Sequence, residues 1–328
     1  MKRFSTILLA LLLTLTMISG CSATTGIDKG KISIVCTIFP EYDWVRQILG
    51  EMSENVDLTL LLDNLIDLHN YQPTMEDIVK ISSCDLFVYV GGISDKWVGD
   101  ALEGASNSDM ISINLLETLG KAAKAEEIIE GMQGEDDDDS DAGGIELDEH
   151  VWLSLKNART LCPALAAALS SLDPEHEDIY QNNLSAYMDK LSDLDLKYQE
   201  AANAAPVKTL LFGDRFPFRY LVDDYSLLYH AAFIGCSAET EASFDTIIFL
   251  AAKVDELRLN NIMATESSDQ SIAEAVKNNT KSKDQKVLVL DAMQSVTASD
   301  VEKGATYLSI MESNLAVLRE ALEVSADD

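Results

Sequence analysis

Short β-branched apolar runs alternate with amphipathic helical stretches along both halves of this chain. That rhythm restricts the fold to α/β, with parallel strands joined by right-handed helical crossovers. In the first half, residues 32–39 read as a buried strand stopped by Pro40. A helix follows over 42–49 and ends near Gly50. Residues 56–62 and 85–90 read as further strands, the latter closed by Gly91-Gly92, with helices over 75–82 and 97–102. The second half repeats the pattern, with strands at 209–212, 227–234, 261–265 and 286–290. Its helices fall at 216–225, 244–257, 271–278 and 307–322. Between the halves, Tyr180, Leu184, Tyr187, Leu191, Leu194 and Tyr198 recur at spacings of four and three. This is one apolar stripe on a single long helix. Asp173 as N-cap and Pro174 at the first helical position start it, and Pro206 ends it. From 174 to 203 it would run about 45 Å at 1.5 Å per residue.

Composition narrows what such a fold can do. Hydrophobic residues make up 47% of the chain, enough for real cores and against global disorder. The formal net charge is −32. A polyanion repels phosphate backbones, so nucleic acid is excluded as a partner, while cations are drawn toward the surface. Lys2 and Arg3 precede a short apolar core, Ile7 to Leu15, too short for a membrane span. It ends at Ile18-Ser19-Gly20-Cys21, which looks like a lipoprotein cleavage box. Cleavage there would leave a lipid on Cys21, and residues 22–31 read as a flexible tether. Cys36, Cys84, Cys162 and Cys236 then remain. They permit disulfides and fix no connectivity, and none has C-x-x-C spacing. Cys36 and Cys84 lie in or beside strand-like runs and read as small core residues. Residues 131–146 hold six acids between 135 and 141 and read as a solvated linker loop.

Only four histidines occur, and two of them sit in matched acid-x-His settings. One is Asp67-Leu68-His69-Asn70-Tyr71-Gln72-Pro73-Thr74. The other is Asp148-Glu149-His150-Val151-Trp152-Leu153. Neutral imidazole is the commonest protein ligand for transition metals. Two such segments far apart in sequence suggest a site assembled between two halves of a fold. These segments resemble the metal-ligand motifs of the solute-binding proteins of zinc and manganese ABC transporters. There the motifs read roughly Asp-Pro-His-x-Tyr-x-Pro-Thr and Asp-Pro-His-Val-Trp-Leu, and here Leu68 and Glu149 replace the prolines. The likeness extends to Phe39-Pro40-Glu41-Tyr42-Asp43, to the third strand, and to the helix after Ser243.

The resemblance implies two Rossmann-like lobes with parallel sheets, joined by a long rigid interdomain helix, with a metal site in the cleft between them. It divides the chain into a signal peptide (1–20), a tether (21–31), an N-terminal lobe (32–172), the helix (173–206) and a C-terminal lobe (207–328). It makes His69 and His150 ligands of Zn2+ or Mn2+, the transported ion. Asp291, at the end of the strand Val287-Leu288-Val289-Leu290, matches a family carboxylate ligand, though Asp after a strand is also a common turn residue. In the family, His or Glu lies five residues before a Tyr. Counting back from Tyr220 puts Arg215 there, and a guanidinium has no lone pair to give a metal. Asp214 would supply the carboxylate instead, or Arg215 would pair with Asp214. His230 and Glu266 are substitute ligands, although His230 also reads as a satisfied core histidine. Arg215 could also contact the anion of a metal chelate.

An extracytoplasmic, membrane-anchored monomer that delivers metal to an ABC permease accounts for all these features. An adhesin-like or chelate-binding relative is the alternative. A metallohydrolase lacks support, since neither His-Glu-x-x-His nor Gly-x-Ser-x-Gly occurs. A continuous interdomain helix would resist wide hinge closure.

Overall fold

Two four-stranded parallel sheets organise the computed structural model, which describes residues 31–63, 67–134, 146–237 and 241–324. The expected signal segment with Cys21, and the acids at 135–141, lie outside the described residues. The first sheet holds β1 (Ile32–Cys36), β2 (Val56–Leu60), β3 (Leu86–Tyr89) and β4 (Ile111–Asn114) in the order β2-β1-β3-β4. The second holds β5 (Thr209–Phe216), β6 (Leu228–Ile234), β7 (Asn261–Thr265) and β8 (Lys286–Leu290) in the order β6-β5-β7-β8. The two orders have the same form. Each sheet therefore reverses direction at one point, between β1 and β3 or between β5 and β7, and ligands bind beyond the strand ends at such points.

The linking helix spans Glu177–Ala204 after a 3-10 turn, Pro174–His176. Tyr180, Tyr187, Leu191, Leu194 and Tyr198 are buried on one face, as their spacing predicts. This helix is tied at several levels. Asn183 Nδ2 donates to the Ile48 carbonyl at 3.0 Å, and Tyr198 Oη to the Met311 carbonyl at 2.7 Å. Ile48 belongs to the helix Phe39–Leu49 of the first half, and Met311 to the helix Tyr307–Ala321 of the second. Tyr307 completes the join. Its ring meets Trp44 edge-on at 5.2 Å, and its amide donates to Asp43 Oδ2 at 2.8 Å. One continuous buried core therefore runs from Ile34 through Tyr198 to Leu318. A smaller core lies under β6 and β7, around Phe233, Leu250 and Ile262.

The structure departs from the sequence reading in instructive places. Pro40 starts a helix rather than merely stopping a strand, because a proline at the first turn sacrifices no intrahelical bond. β5 runs on to Phe216, past the expected end at 212, with a register shift between Phe212 and Arg215. Asp214 and Arg215 thus lie on a bulged strand. The sequence pattern does not mark the short β4 or the helix Leu155–Leu172, the latter because Pro163 interrupts its periodicity. Asp173 makes no side-chain cap, since its Oδ2 accepts instead from His176 Nδ1 and Tyr180 Oη, both at 2.7 Å. Cys36, Cys84, Cys162 and Cys236 are all free thiols.

Glu41 lies fully buried beyond the end of β1. Its Oε2 accepts from Thr37 N at 2.9 Å, Thr37 Oγ1 at 3.0 Å and Ile38 N at 3.2 Å, while Oε1 has no partner. Burial, then the nearby Asp95 charge, pushes its carboxyl from 4.5 up to about 8. A raised acid keeps its proton in the folded state. Its contribution is therefore complete below pH 4.5 and is lost as pH rises toward 8. Glu41→Gln removes this titration, so the variant should gain on the parent by up to about 1.4 kcal/mol per pH unit across that window. Urea unfolding at pH 5, 6, 7 and 8 measures the gap. A gap that stays constant with pH would show that Glu41 is ionised in the fold.

Candidate metal centre

Both acid-x-His segments fold by the same local device. The Asp67 carboxylate accepts the His69 amide at 3.0 Å, and the Asp148 carboxylate accepts the His150 amide at 2.9 Å. An Asx side chain readily accepts the N–H two residues on, which turns the backbone and aims the third side chain. His69 thereby enters a 3-10 turn, Leu68–Asn70, after β2, and His150 precedes another, Val151–Leu153. The rings converge, with their Nε2 atoms 3.2 Å apart.

Each ring's other nitrogen is occupied. His150 Nδ1 lies 3.0 Å from Asp148 Oδ1. His69 Nδ1 lies 2.8 Å from Ser94 Oγ, which donates to Glu149 Oε2 at 2.5 Å, and the Ser94 amide donates to Glu149 Oε1 at 2.8 Å. A carboxylate beyond Nδ1 favours the proton there and leaves the Nε2 lone pair free. Both Nε2 atoms then point at one donor. The Gln294 amide nitrogen lies 3.1 Å from His150 Nε2 and 3.4 Å from His69 Nε2. Glu149, where the resembling motif has proline, thus has a clear role in orienting His69. Its chain presses on the backbone at Gly92, where φ is +84° and a Cβ would overlap the Glu149 carboxylate. Only glycine suits that position.

Charges follow from these contacts. Burial raises the Glu149 carboxyl, but bonds from His69 and Ser94 outweigh it and hold the group below its usual range. Burial disfavours the charged His150 ring, yet the Asp148 charge and hydrogen bond prevail and raise its pKa. Burial likewise raises Asp67, and His69 together with Arg215 brings it below normal.

Other expected ligands take different places. The Arg215 guanidinium reaches Asp67 Oδ2 at 3.0 Å and the Ser237 carbonyl at 3.4 Å, so it pairs with Asp67 rather than with the side chain of Asp214. Asp214 uses Oδ2 on Thr265 N at 2.8 Å and Thr265 Oγ1 at 2.9 Å, bracing β5 against β7, and its Oδ1 accepts the Arg215 amide. Asp291 Oδ1 accepts the Met293 amide at 2.7 Å. Glu266 accepts the Ala292 amide at 2.7 Å and the Gln294 amide at 3.0 Å, holding the loop that presents Gln294. Burial, then Asp291 beside it, pushes its carboxyl up to about 7. His230 is half-buried on β6 with Nδ1 unpartnered and its ring edge-on to Phe249 at 5.9 Å, so it is not the satisfied core histidine expected. Among the described residues, ligand atoms of His69, His150 and Cys236 form the one group of three metal-binding side chains within 4.8 Å of one another. A lone cysteine in a loop carries no spacing signal, so the sequence does not mark Cys236 as a ligand.

The second half also anchors the His150 segment. Tyr220 Oη donates to the Asp148 carbonyl at 2.8 Å and accepts the Lys124 amide at 2.9 Å. Trp152 Nε1 donates to the Ala292 carbonyl at 2.8 Å, and Tyr307 Oη to the Trp152 carbonyl at 2.7 Å. Tyr220→Phe would strand a buried carbonyl and an amide, so it should cost about 1–3 kcal/mol in urea unfolding with an unchanged m-value. A loss below about 0.5 kcal/mol would mean that the segment holds its place without Tyr220.

The model of the zinc-uptake complex component A family, periplasmic (ZnuA), matches residues 34–321. The zinc-binding lipoprotein AdcA of Streptococcus pneumoniae is 30% identical over 325 residues, covering 98% of this chain and 62% of AdcA. The chain thus spans less than two thirds of that relative. The high-affinity zinc uptake system protein ZnuA of Bacillus subtilis is 28% identical over 313 residues, covering 94% of this chain and 93% of that protein. The Zn(II)-bound ZnuA-like domain of S. pneumoniae AdcA superposes with a TM-score of 0.69 at 27% identity, over 90% of this chain and all of that domain.

Proposed function

This chain belongs to the zinc-uptake complex component A family, and on that footing we propose that it captures a divalent transition metal outside the cytoplasm. It then delivers the ion to an ABC permease. The observation that carries this reading is the convergence of two imidazole Nε2 atoms, 3.2 Å apart, on rings whose Nδ1 sides are each backed by a carboxylate. Such a pair, with its outer partners already in place, needs no rearrangement of the rings to receive a cation. The ion is cargo: Zn2+ by analogy with the relatives named above, and Mn2+ as the competing ion. The carboxylates beside the histidines are engaged in orienting the rings, and the family it belongs to is one of metal-uptake components, so the role we propose is binding without turnover. Cys21 would tether the protein to the outer face of the plasma membrane through its lipid.

Thermal unfolding of the purified protein, first chelated and then given Zn2+, Mn2+, Fe2+ or Ni2+, tests the reading. A metal that binds the fold adds about 2.7 kcal/mol at a free concentration a hundredfold above Kd. The rise should vanish in both His69→Ala and His150→Ala. A parent midpoint indifferent to every metal would refute metal capture by this chain.

The core shared by the two halves and the rigid linking helix predict local rather than hinge-like change. Hydrogen exchange should show added protection with metal at residues 67–71, 148–153 and 291–295, while the sheets change little. Protection changes spread evenly over a whole sheet would indicate domain-scale opening instead.

A further inference from the structure

We infer that Cys236 supplies the third protein ligand, as a thiolate, to the metal held by His69 and His150, and that its sulfur makes the site prefer zinc to manganese. The inference rests on the reading of those two histidines as metal donors. Its own support is separate. The Cys236 sulfur lies within 4.8 Å of a ring nitrogen of each histidine. A tetrahedral zinc ion with bonds of about 2.0–2.3 Å needs donor atoms about 3.3–3.6 Å apart. The imidazole pair, at 3.2 Å, lies close to that spacing, and the sulfur, within 4.8 Å of both, would come in with a shift of its loop.

The chain is built to bring that loop in. Cys236 follows β6 by two residues, beside the carboxyl end of β5 where Arg215 sits. Arg215 cannot ligate, and it donates to the Ser237 carbonyl at 3.4 Å and to Asp67 at 3.0 Å. One guanidinium thus holds the residue after Cys236 and the carboxylate that orients His69. Gly235 makes the approach possible. A Cβ there would lie 2.8 Å from His150 Cε1 and 2.9 Å from the Phe216 carbonyl, so the backbone lies directly against the imidazole. Glu126, whose buried Oε1 has no hydrogen-bond partner, lies in the same surroundings, and burial together with the Glu126, Glu149 and Asp148 charges pushes the free thiol well up, so it is the cation that must displace its proton. Among the described residues, no other cysteine joins the histidines in the ligand group.

Ligand softness sets the consequence. Thiolate favours zinc and other thiophilic ions, whereas manganese favours carboxylate, carbonyl and water oxygens. The test uses Co2+ as a spectroscopic probe, added to the full chain under reducing conditions. Parent protein should show cobalt d–d bands together with a near-ultraviolet sulfur-to-cobalt charge-transfer band, both displaced by Zn2+. Cys236→Ser should keep the d–d bands, lose the charge-transfer band and bind Zn2+ more than about tenfold more weakly. Its preference for Zn2+ over Mn2+ should narrow correspondingly. Cys236→Ala serves as a second variant, and equal unfolding midpoints in chelator show that both variants fold. In the parent, d–d bands without a charge-transfer band would overturn the assignment of Cys236 and leave the two histidines as donors. No cobalt spectrum in the parent would overturn the histidine reading and this inference with it.

Discussion

A carboxylate that accepts the amide two residues ahead fixes the path of the backbone at each histidine, and the same or a second carboxylate fixes the ring. Asp148 does both for His150. Asp67 and Glu149 divide the work for His69, with Ser94 between Glu149 and the ring. Without these anchors, two imidazoles would have no reason to turn their Nε2 atoms toward one point. With them, an electropositive group at that point is favoured, and the Gln294 amide nitrogen fills that role. The rest of the molecule serves mainly to keep the two segments in register. Tyr220, Trp152 and Tyr307 reach the His150 segment from across the fold, and Glu266 holds the loop that closes it.

The sheets were legible in the sequence because fully buried parallel strands are written as short apolar runs. β7 and β8 fall within the same residues in both readings. The long helix was legible for a similar reason, since one apolar stripe from Tyr180 to Tyr198 repeats over about five turns. The misses have physical causes as well. The four residues of β4 are too few to declare a period. Pro163 breaks the helical pattern of Leu155–Leu172, whose buried face nonetheless holds Leu161, Leu165 and Leu169 against the core. β5 continues past Gly213 because a bulge absorbs the interruption, and no local signal announces a bulge.

The site was half legible. The two histidines stood out because acid-x-His is a local device, visible in three residues. What surrounds them is assembled from strand ends remote in sequence. Asp214 shows the limit. It sits near the expected place, yet its oxygens are committed to Thr265 on the neighbouring strand and to its own next amide. Arg215 turns to Asp67, a partner 148 residues away. Such choices are made by tertiary distance, and a single sequence does not contain distances. For the same reason, nothing local marks Gln294 or Cys236 as neighbours of the histidines.

The unbroken core between the two halves sets the kinetics of the molecule as well as its shape. A receptor that closes on its ligand spends part of the binding energy on closing, and opens again by reversing that motion. Here the rings, their carboxylates and the tyrosines behind them stand ready, so that cost is small and nearly all the interaction appears as affinity. If the chain captures metal as proposed, arrival of the ion would be limited by diffusion and by the field of a strongly negative protein. Departure would be the slow event, and it would begin in the short segments around His69 and Gln294 rather than in a swing of whole sheets. A holder of this kind would load by itself and unload only when something else disturbs those loops.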